Sequence, residues 1–198
     1  MVGCVFFAEK VYRAMSEFLP KGGGYRKLRV YHITELICDL SATFASRFIR
    51  PGSRTRDQIE QAARSGKQNI AEGSAASITS KETEIRLTNV AKASLEELLL
   101  DYEDYLRQHN LPKWDKNNPR TVRLRQYLQS PEFDTDVPRL ALRLSPEEYC
   151  NMCITLINQA TYMLKKLLKA QQEQFVKEGG IKERMYRART HFRDDQHR

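Results

Sequence analysis

The sequence predicts an all-α protein: an up-and-down four-helix bundle with an extra N-terminal segment and a loop-rich insert before the last helix. Three observations support this prediction. Apolar residues recur at steps of three and four along four long stretches. Each stretch begins and ends at residues that typically start or stop helices. None of the four stretches shows the alternation of apolar and polar residues that is typical of a strand. A chain of 198 residues, 40% of them hydrophobic, can bury one core.

The first three long helices are expected between identifiable boundaries. The first covers residues 25–50 and stops at a Pro-Gly pair. The second is expected to begin near Thr55, with Gln58 three residues later as in a capping box, and to end at Gly73 in a left-handed cap. Thr79 and Glu82 repeat the capping-box spacing at the start of the third helix.

The fourth long helix has the strongest start signal. Ser145 is the expected N-cap, Pro146 occupies the first helical position, and Glu148 completes a capping box. The helix is expected to end at the glycines at 179 and 180. We therefore divide the chain into three parts. An N-terminal segment, 1–24, contains a short helix over 5–19 and a glycine hinge. The four-helix bundle, 25–178, includes the insert 112–144, and a basic tail, 179–198, follows it. Within the insert, residues 121–128 are expected to form a short helix.

Residues 64–74, RSGKQNIAEGS, contain a Gly-Lys pair but do not form a phosphate-binding loop. Such a loop needs a Ser or Thr after the lysine and a glycine five positions before the pair, and this chain has Gln68 and Gln61 there. Helical spacing instead aligns small residues on one face. Glycine inside a helix costs about 1 kcal/mol relative to alanine, so we expect Gly66 to lie where a neighbouring helix approaches closely.

Charge alternates along the chain, whose net charge is +8. Residues 21–67 carry net +6, whereas residues 72–106 carry net −5. This pattern fits either a nucleic-acid footprint or attraction between oppositely charged faces of neighbouring subunits, and the two are compatible. The candidate nucleic-acid-binding residues are Arg26, Lys27, Arg29, Arg47, Arg50, Arg54, Arg56, Arg64 and Lys67.

No catalytic, metal or cofactor site is expected from the sequence. Cys150 and Cys153 form a C-x-x-C pair inside a helical pattern, which favours buried side chains over zinc or redox chemistry. Glu72 is expected to accept hydrogen bonds from a neighbour. The N-terminus does not fit a signal peptide, and no apolar stretch is long enough to span a membrane, so a cytoplasmic protein without a membrane partner is expected.

The stretch over residues 25–110 resembles the bacterial four-helix-bundle family. That family includes proteins encoded by intervening sequences of large-subunit ribosomal RNA genes and the accessory variability protein of diversity-generating retroelements. The longer subgroup of four helix bundle suffix domain proteins is the most similar. The residues of the shared arrangement include Arg56, Gln58, Ile59, Ala62, Ser65, Gly66 and the run Asn69, Ile70, Ala71, Glu72 and Gly73, followed by Ser94, Glu97 and Leu98.

The resemblance implies a homo-oligomer, a ring of five subunits. It also implies a basic surface that binds nucleic acid, RNA above all, and a partner that is a reverse transcriptase or an RNA-processing protein. We therefore expect a non-enzymatic accessory protein. Two alternatives remain. The first is a scaffold that binds only proteins. The second is an all-α ribonuclease of the HEPN type, whose R-x(4–6)-H motif is matched by Arg26 with His32 and by Arg184 with His191.

Overall fold

The structure, a computed structural model, describes residues 24–128, 130, 137 and 139–196. These residues contain six α-helices and no strand, so the all-α prediction is confirmed. A 3₁₀ turn at Tyr25–Lys27 precedes α1 (Arg29–Phe48), α2 (Arg54–Ala76), α3 (Lys81–Gln108), α4 (Pro119–Tyr127), α5 (Pro146–Glu178) and α6 (Ile181–Gln196). The helix expected over residues 5–19 lies outside the described residues.

The four long helices form a closed cycle of neighbours. Helix α1 packs against α2 and α5, and α3 packs against the same two helices from the other side. The short connections 49–53 and 77–80 make successive helices antiparallel. Contacts between helices agree with this direction: Ser65 of α2 meets Ser94 of α3, whereas Gly73 lies beside Leu87.

An aromatic cluster occupies the centre of the core. Phe44 is fully buried, and its ring centroid lies 4.9 Å from those of Tyr102 and Tyr105 and 5.6 Å from that of Tyr149. The buried hydroxyls are satisfied: Tyr102 shares a 3.0 Å hydrogen bond with Ser41, and Tyr149 donates to the Leu40 carbonyl at 2.8 Å. Three of the four long helices are therefore joined through this cluster.

The expected starts of α2 and α3 were wrong by one residue or two. Ser53 and Ser80 are the N-caps, and their hydroxyls accept hydrogen bonds from the backbone N–H groups of Thr55 and Thr83. The Thr55–Gln58 and Thr79–Glu82 capping boxes do not form, because Ser53, two residues before Thr55, and Ser80, one residue after Thr79, occupy the two caps. Apolar periodicity locates a helix but does not choose between neighbouring hydroxyl residues as its cap.

Two further boundaries differ from the sequence prediction. Helix α1 begins at Arg29 and not at residue 25, because Leu28 has extended backbone angles. Helix α2 continues through Gly73 to Ala76, so the left-handed cap expected at Gly73 does not exist. Gly73 is buried, and a Cβ atom there would lie 3.3 Å from the Glu84 carbonyl oxygen, so packing against α3 accounts for this glycine.

The start of α5 agrees with the prediction in full. Ser145 caps the helix, Pro146 is its first residue, and Glu148 closes the capping box by accepting from the Ser145 N–H at 3.0 Å. The Ser145 backbone and side-chain hydrogen bonds lower the pKa of the Glu148 carboxyl below its ordinary value. At the other end, Gly179 follows the helix with φ of +73°, in the region that favours glycine.

Three described residues of the insert belong to the core. Leu128, Val137 and Ala141 are buried with the residues of the long helices. Its N-terminal part is held by Trp114, whose backbone N–H donates to the Asn151 side chain and whose indole N–H donates to Glu147, both at 2.7 Å. The short helix expected here is confirmed as α4, and the basic tail is also helical, as α6.

Candidate nucleic-acid interface

The nine predicted basic residues do not form a single patch. Helix α1 has 20 residues and is therefore about 30 Å long. The first group lies at the N-terminal end of α1 and consists of Arg26, Lys27 and Arg29. The second lies around the junction of α1 and α2 and consists of Arg47, Arg50, Arg54 and Arg56. The third lies about halfway along α2 and consists of Arg64 and Lys67. These three groups have different surroundings, and those surroundings decide which residues are free to bind a ligand.

Arg29 and Arg47 fasten the insert to α1. The Arg29 guanidinium donates to the Leu128 carbonyl at 3.4 Å. Arg47 donates to the carbonyls of Ala141 and Leu144, the latter at 3.3 Å, and its guanidinium lies 4.5 Å from the centre of the Phe48 ring. These contacts give both arginines a structural task that the sequence prediction did not include, because the path of the insert was unknown.

Three other candidates have acidic neighbours. Arg56 forms an ion pair with Glu60 at 3.2 Å, one turn further along α2. Arg64 and Lys67 share the surroundings of Cys38 with Asp39 and Glu35 of α1. Burial raises the pKa of the Cys38 thiol, and the Lys67 charge partly opposes that shift. The positive potential along this flank of α2 is therefore partly offset by carboxylates.

Arg50 and Arg54 are the free cations of the α1–α2 junction. Both are exposed, and neither guanidinium group makes a hydrogen bond or an ion pair within the described part of the chain. The side chains of Arg139 and Arg143 are also exposed and have no such partners among the described residues, and each arginine is two residues from Ala141, whose carbonyl Arg47 binds. We call Arg50, Arg54, Arg139 and Arg143 the basic end. The sequence showed no local signal for the last two, since their position depends on the insert folding back onto α1.

Several residues of the family-like arrangement line the contact between α2 and α3. A Cβ atom at Gly66 would lie 2.7 Å from Leu95 Cδ2, closer than real Cβ contacts allow. Asn69 donates to the Ser65 carbonyl and hydroxyl, and the Ser65 hydroxyl lies 2.9 Å from that of Ser94. Ser65 and Ser94 belong to separate parts of the sequence arrangement, and the structure brings them together across the two helices.

The other motif residues differ in their burial. Ile70 is buried in the core, Ala71 is half-buried, and Gln58 and Glu72 are exposed. The Glu72 carboxylate, which is expected to accept a hydrogen bond from a neighbour, accepts none from the described residues. Because Glu72 is exposed, the tight packing around Gly66 does not depend on it.

The residues that the sequence suggested for metal or nuclease chemistry have different surroundings in the structure. Cys150 and Cys153 are buried, and burial raises the pKa of the Cys153 thiol to about 12. The described residues contain no group of three or more potential metal ligands. Arg26 and His32 are not on one continuous helix, because Leu28 is extended between them. Arg184, of the other Arg–His pair, forms an ion pair with Glu178 at 2.7 Å.

Comparison of the chain with protein-family models, curated proteins and solved structures found no match. Among the described residues, no helix combines the length and the apolar character that crossing a membrane requires. The features that bear on function are therefore the surface of this chain and the residues of the family-like arrangement. Of these, the basic end is the feature with chemistry suited to a ligand.

Proposed function

We propose that the chain is a non-enzymatic, oligomeric nucleic-acid-binding protein that assists a reverse transcriptase or an RNA-processing partner. Its basic end would contact phosphate groups, with RNA as the expected ligand. The observation that carries this proposal is the exposure of Arg50, Arg54, Arg139 and Arg143 without acidic partners in the described structure. Arginine forms paired hydrogen bonds with phosphate oxygens, and such contacts need no particular base sequence.

The composition of the surface supports phosphate contacts and not base recognition. Arginines that already hold carbonyls or carboxylates, such as Arg47 and Arg56, lose part of their capacity for a ligand. The basic end retains that capacity in full. Among the described residues, no large aromatic side chain is exposed beside Arg50 or Arg54, so stacking on bases is not expected there. We therefore expect affinity that varies little between sequences.

Oligomerisation belongs to the same proposal, with a ring of five subunits as the expected form. The outer face of α3 supports it, because Leu100 is 62% exposed there and acidic side chains surround it. The pKa of the nearby Asp101 carboxyl is raised by burial and by the charges of Glu97 and Asp104. A basic surface of the next subunit would neutralise this face, and a head-to-tail contact of that kind closes into a ring.

We expect the purified chain to be a homo-oligomer in solution at micromolar concentration. Light scattering coupled to size exclusion would measure its mass, against 23.1 kDa for one subunit. Replacing Leu100 with Lys should dissociate the oligomer, whereas the same change at the exposed Val176 should not. A monomeric wild-type protein, or an oligomer insensitive to Leu100→Lys, would contradict the α3 interface.

We expect the chain to retain labelled RNA at low salt and to leave it intact. A gel of the recovered RNA separates binding from cleavage, and His32→Ala should behave like the wild type. If the wild type degrades RNA and His32→Ala does not, the ribonuclease alternative is correct. If neither RNA nor DNA is retained at low salt, the protein-binding scaffold is the better account.

A further inference from the structure

Helix α6 is fastened to the end of α5 by two of its arginines. Arg184 pairs with the Glu178 carboxylate at 2.7 Å, and Arg187 donates to the Glu178 carbonyl. On the other side of the turn, the Gly180 N–H donates to the Glu183 carboxylate at 2.9 Å. These contacts fix the start of α6, and they use the cationic groups of Arg184 and Arg187.

A second set of α6 residues is free. Lys182, Tyr186, Arg189 and Arg193 are spaced by four, three and four residues, so they lie on one face of the helix over about 16 Å. All four are exposed, and Tyr186 is 69% exposed. None of their side chains makes a hydrogen bond, an ion pair or a ring contact with another described residue. We call these four residues the α6 stripe.

The position of the tyrosine within the α6 stripe favours a ligand that is both flat and anionic. Cations lie one turn before the ring and one and two turns after it. Single-stranded nucleic acid has both properties, because unpaired bases stack on aromatic rings while phosphates contact basic side chains. A duplex offers phosphates but no free base face, so it would use the cations alone.

An anionic membrane suits this face less well. A helix that lies on a bilayer inserts a continuous apolar face. Ile181 and Ala188 lie on a different face from Tyr186 and are half-buried, and Met185, which is 51% exposed, only borders the α6 stripe. One ring between three cations provides a surface for a base and not for a lipid layer.

We propose that Tyr186 stacks on an unpaired base of single-stranded nucleic acid while Lys182, Arg189 and Arg193 contact its phosphates. This inference rests on the proposed function and makes it more specific, since it names the single-stranded form as the ligand of α6. The basic end and the α6 stripe then have different tasks. The basic end contacts phosphates of any strand, and the α6 stripe selects strands with accessible bases.

Two variants and two probes test this inference. The probes are a labelled oligouridylate of about 16 nucleotides, the upper range of common single-strand sites, and a blunt RNA duplex of equal length. Tyr186→Ala should lower the affinity for oligouridylate about fivefold or more, as expected for the loss of one stacked base. Tyr186→Phe should keep the wild-type affinity. Tyr162→Ala, which removes another exposed tyrosine, on α5, is the matched control and should change neither affinity.

The duplex separates this inference from the proposed function. We expect Tyr186→Ala to leave the duplex affinity unchanged, because stacking on a paired base is not available. If Tyr186→Ala has no effect on oligouridylate, or weakens both probes equally, the stacking role is wrong while nucleic-acid binding stands. If the wild type binds neither probe at low salt, the proposed function fails as well.

Discussion

Replacing Gly66 with leucine is expected to destabilise the fold by about 1–3 kcal/mol, the usual cost of overpacking a well-packed contact. A Cβ atom at this position would lie 2.7 Å from Leu95 Cδ2 and 3.0 Å from Leu95 Cγ, before the rest of the new side chain is placed. Leu95 is itself fully buried, so it has little room to move. Urea unfolding followed by circular dichroism would measure the loss.

Helix propensity makes this test stringent. Leucine is favoured over glycine in a helix by somewhat less than 1 kcal/mol, so a net loss of stability has to come from packing. Gln68→Leu is the matched control, because Gln68 is exposed on the same helix and its replacement should change stability by less than about 0.5 kcal/mol. Adding Leu95→Ala to Gly66→Leu should recover part of the loss through the space it creates. Unchanged stability of Gly66→Leu would refute the close approach of α2 and α3.

Reversing the charge of Arg50 and Arg54 together is expected to weaken RNA binding about tenfold or more, given that one hydrogen bond to a charged group contributes roughly 1.5–3 kcal/mol. The double change to glutamate removes two phosphate contacts and adds repulsion. Arg56 is left unchanged because it already pairs with Glu60. Fluorescence anisotropy with several RNA sequences would measure the effect, which should be similar for all of them.

The control for this double charge reversal is a second double variant, Arg86→Glu together with Lys165→Glu. Both residues are exposed on α3 and α5, outside the basic end, and their reversal changes the net charge by the same amount. This control should retain most of the affinity, since its charges lie elsewhere on the surface. Equal losses in the two double variants would mean that overall charge, and not the basic end, governs binding.

The sequence predicted features that depend on short-range chemistry. Ser145, Pro146 and Glu148 specify the start of α5 within four residues, and the structure has the full capping box. Gly66 was expected at a close contact because a helix interior gives glycine no other advantage, and the structure has Leu95 against it. In both cases, the deciding interactions lie within one helix or along one apolar stripe.

Features that depend on the path of the insert could not be predicted. Arg29 and Arg47 were assigned to ligand binding, yet their guanidinium groups hold carbonyls about 95–100 residues away in the chain. The residues predicted from the sequence do not include Arg139 and Arg143, which reach the basic end only because Arg47 of α1 binds the carbonyls of Ala141 and Leu144. Such contacts leave no periodic pattern in the sequence, so a count of basic residues overestimates the free cations near α1 and underestimates those of the insert.

The central claim is that the basic end binds nucleic-acid phosphates, and the salt dependence of affinity tests it most directly. Each phosphate contact to a single strand contributes about 0.7 to the slope of the logarithm of affinity against the logarithm of salt concentration. We predict a steep negative slope for single-stranded RNA with the wild type, and a slope smaller in magnitude by about 1.4 when Arg50 and Arg54 are both glutamate. Affinity that does not depend on salt, or a slope that is the same in the double variant, would contradict the account.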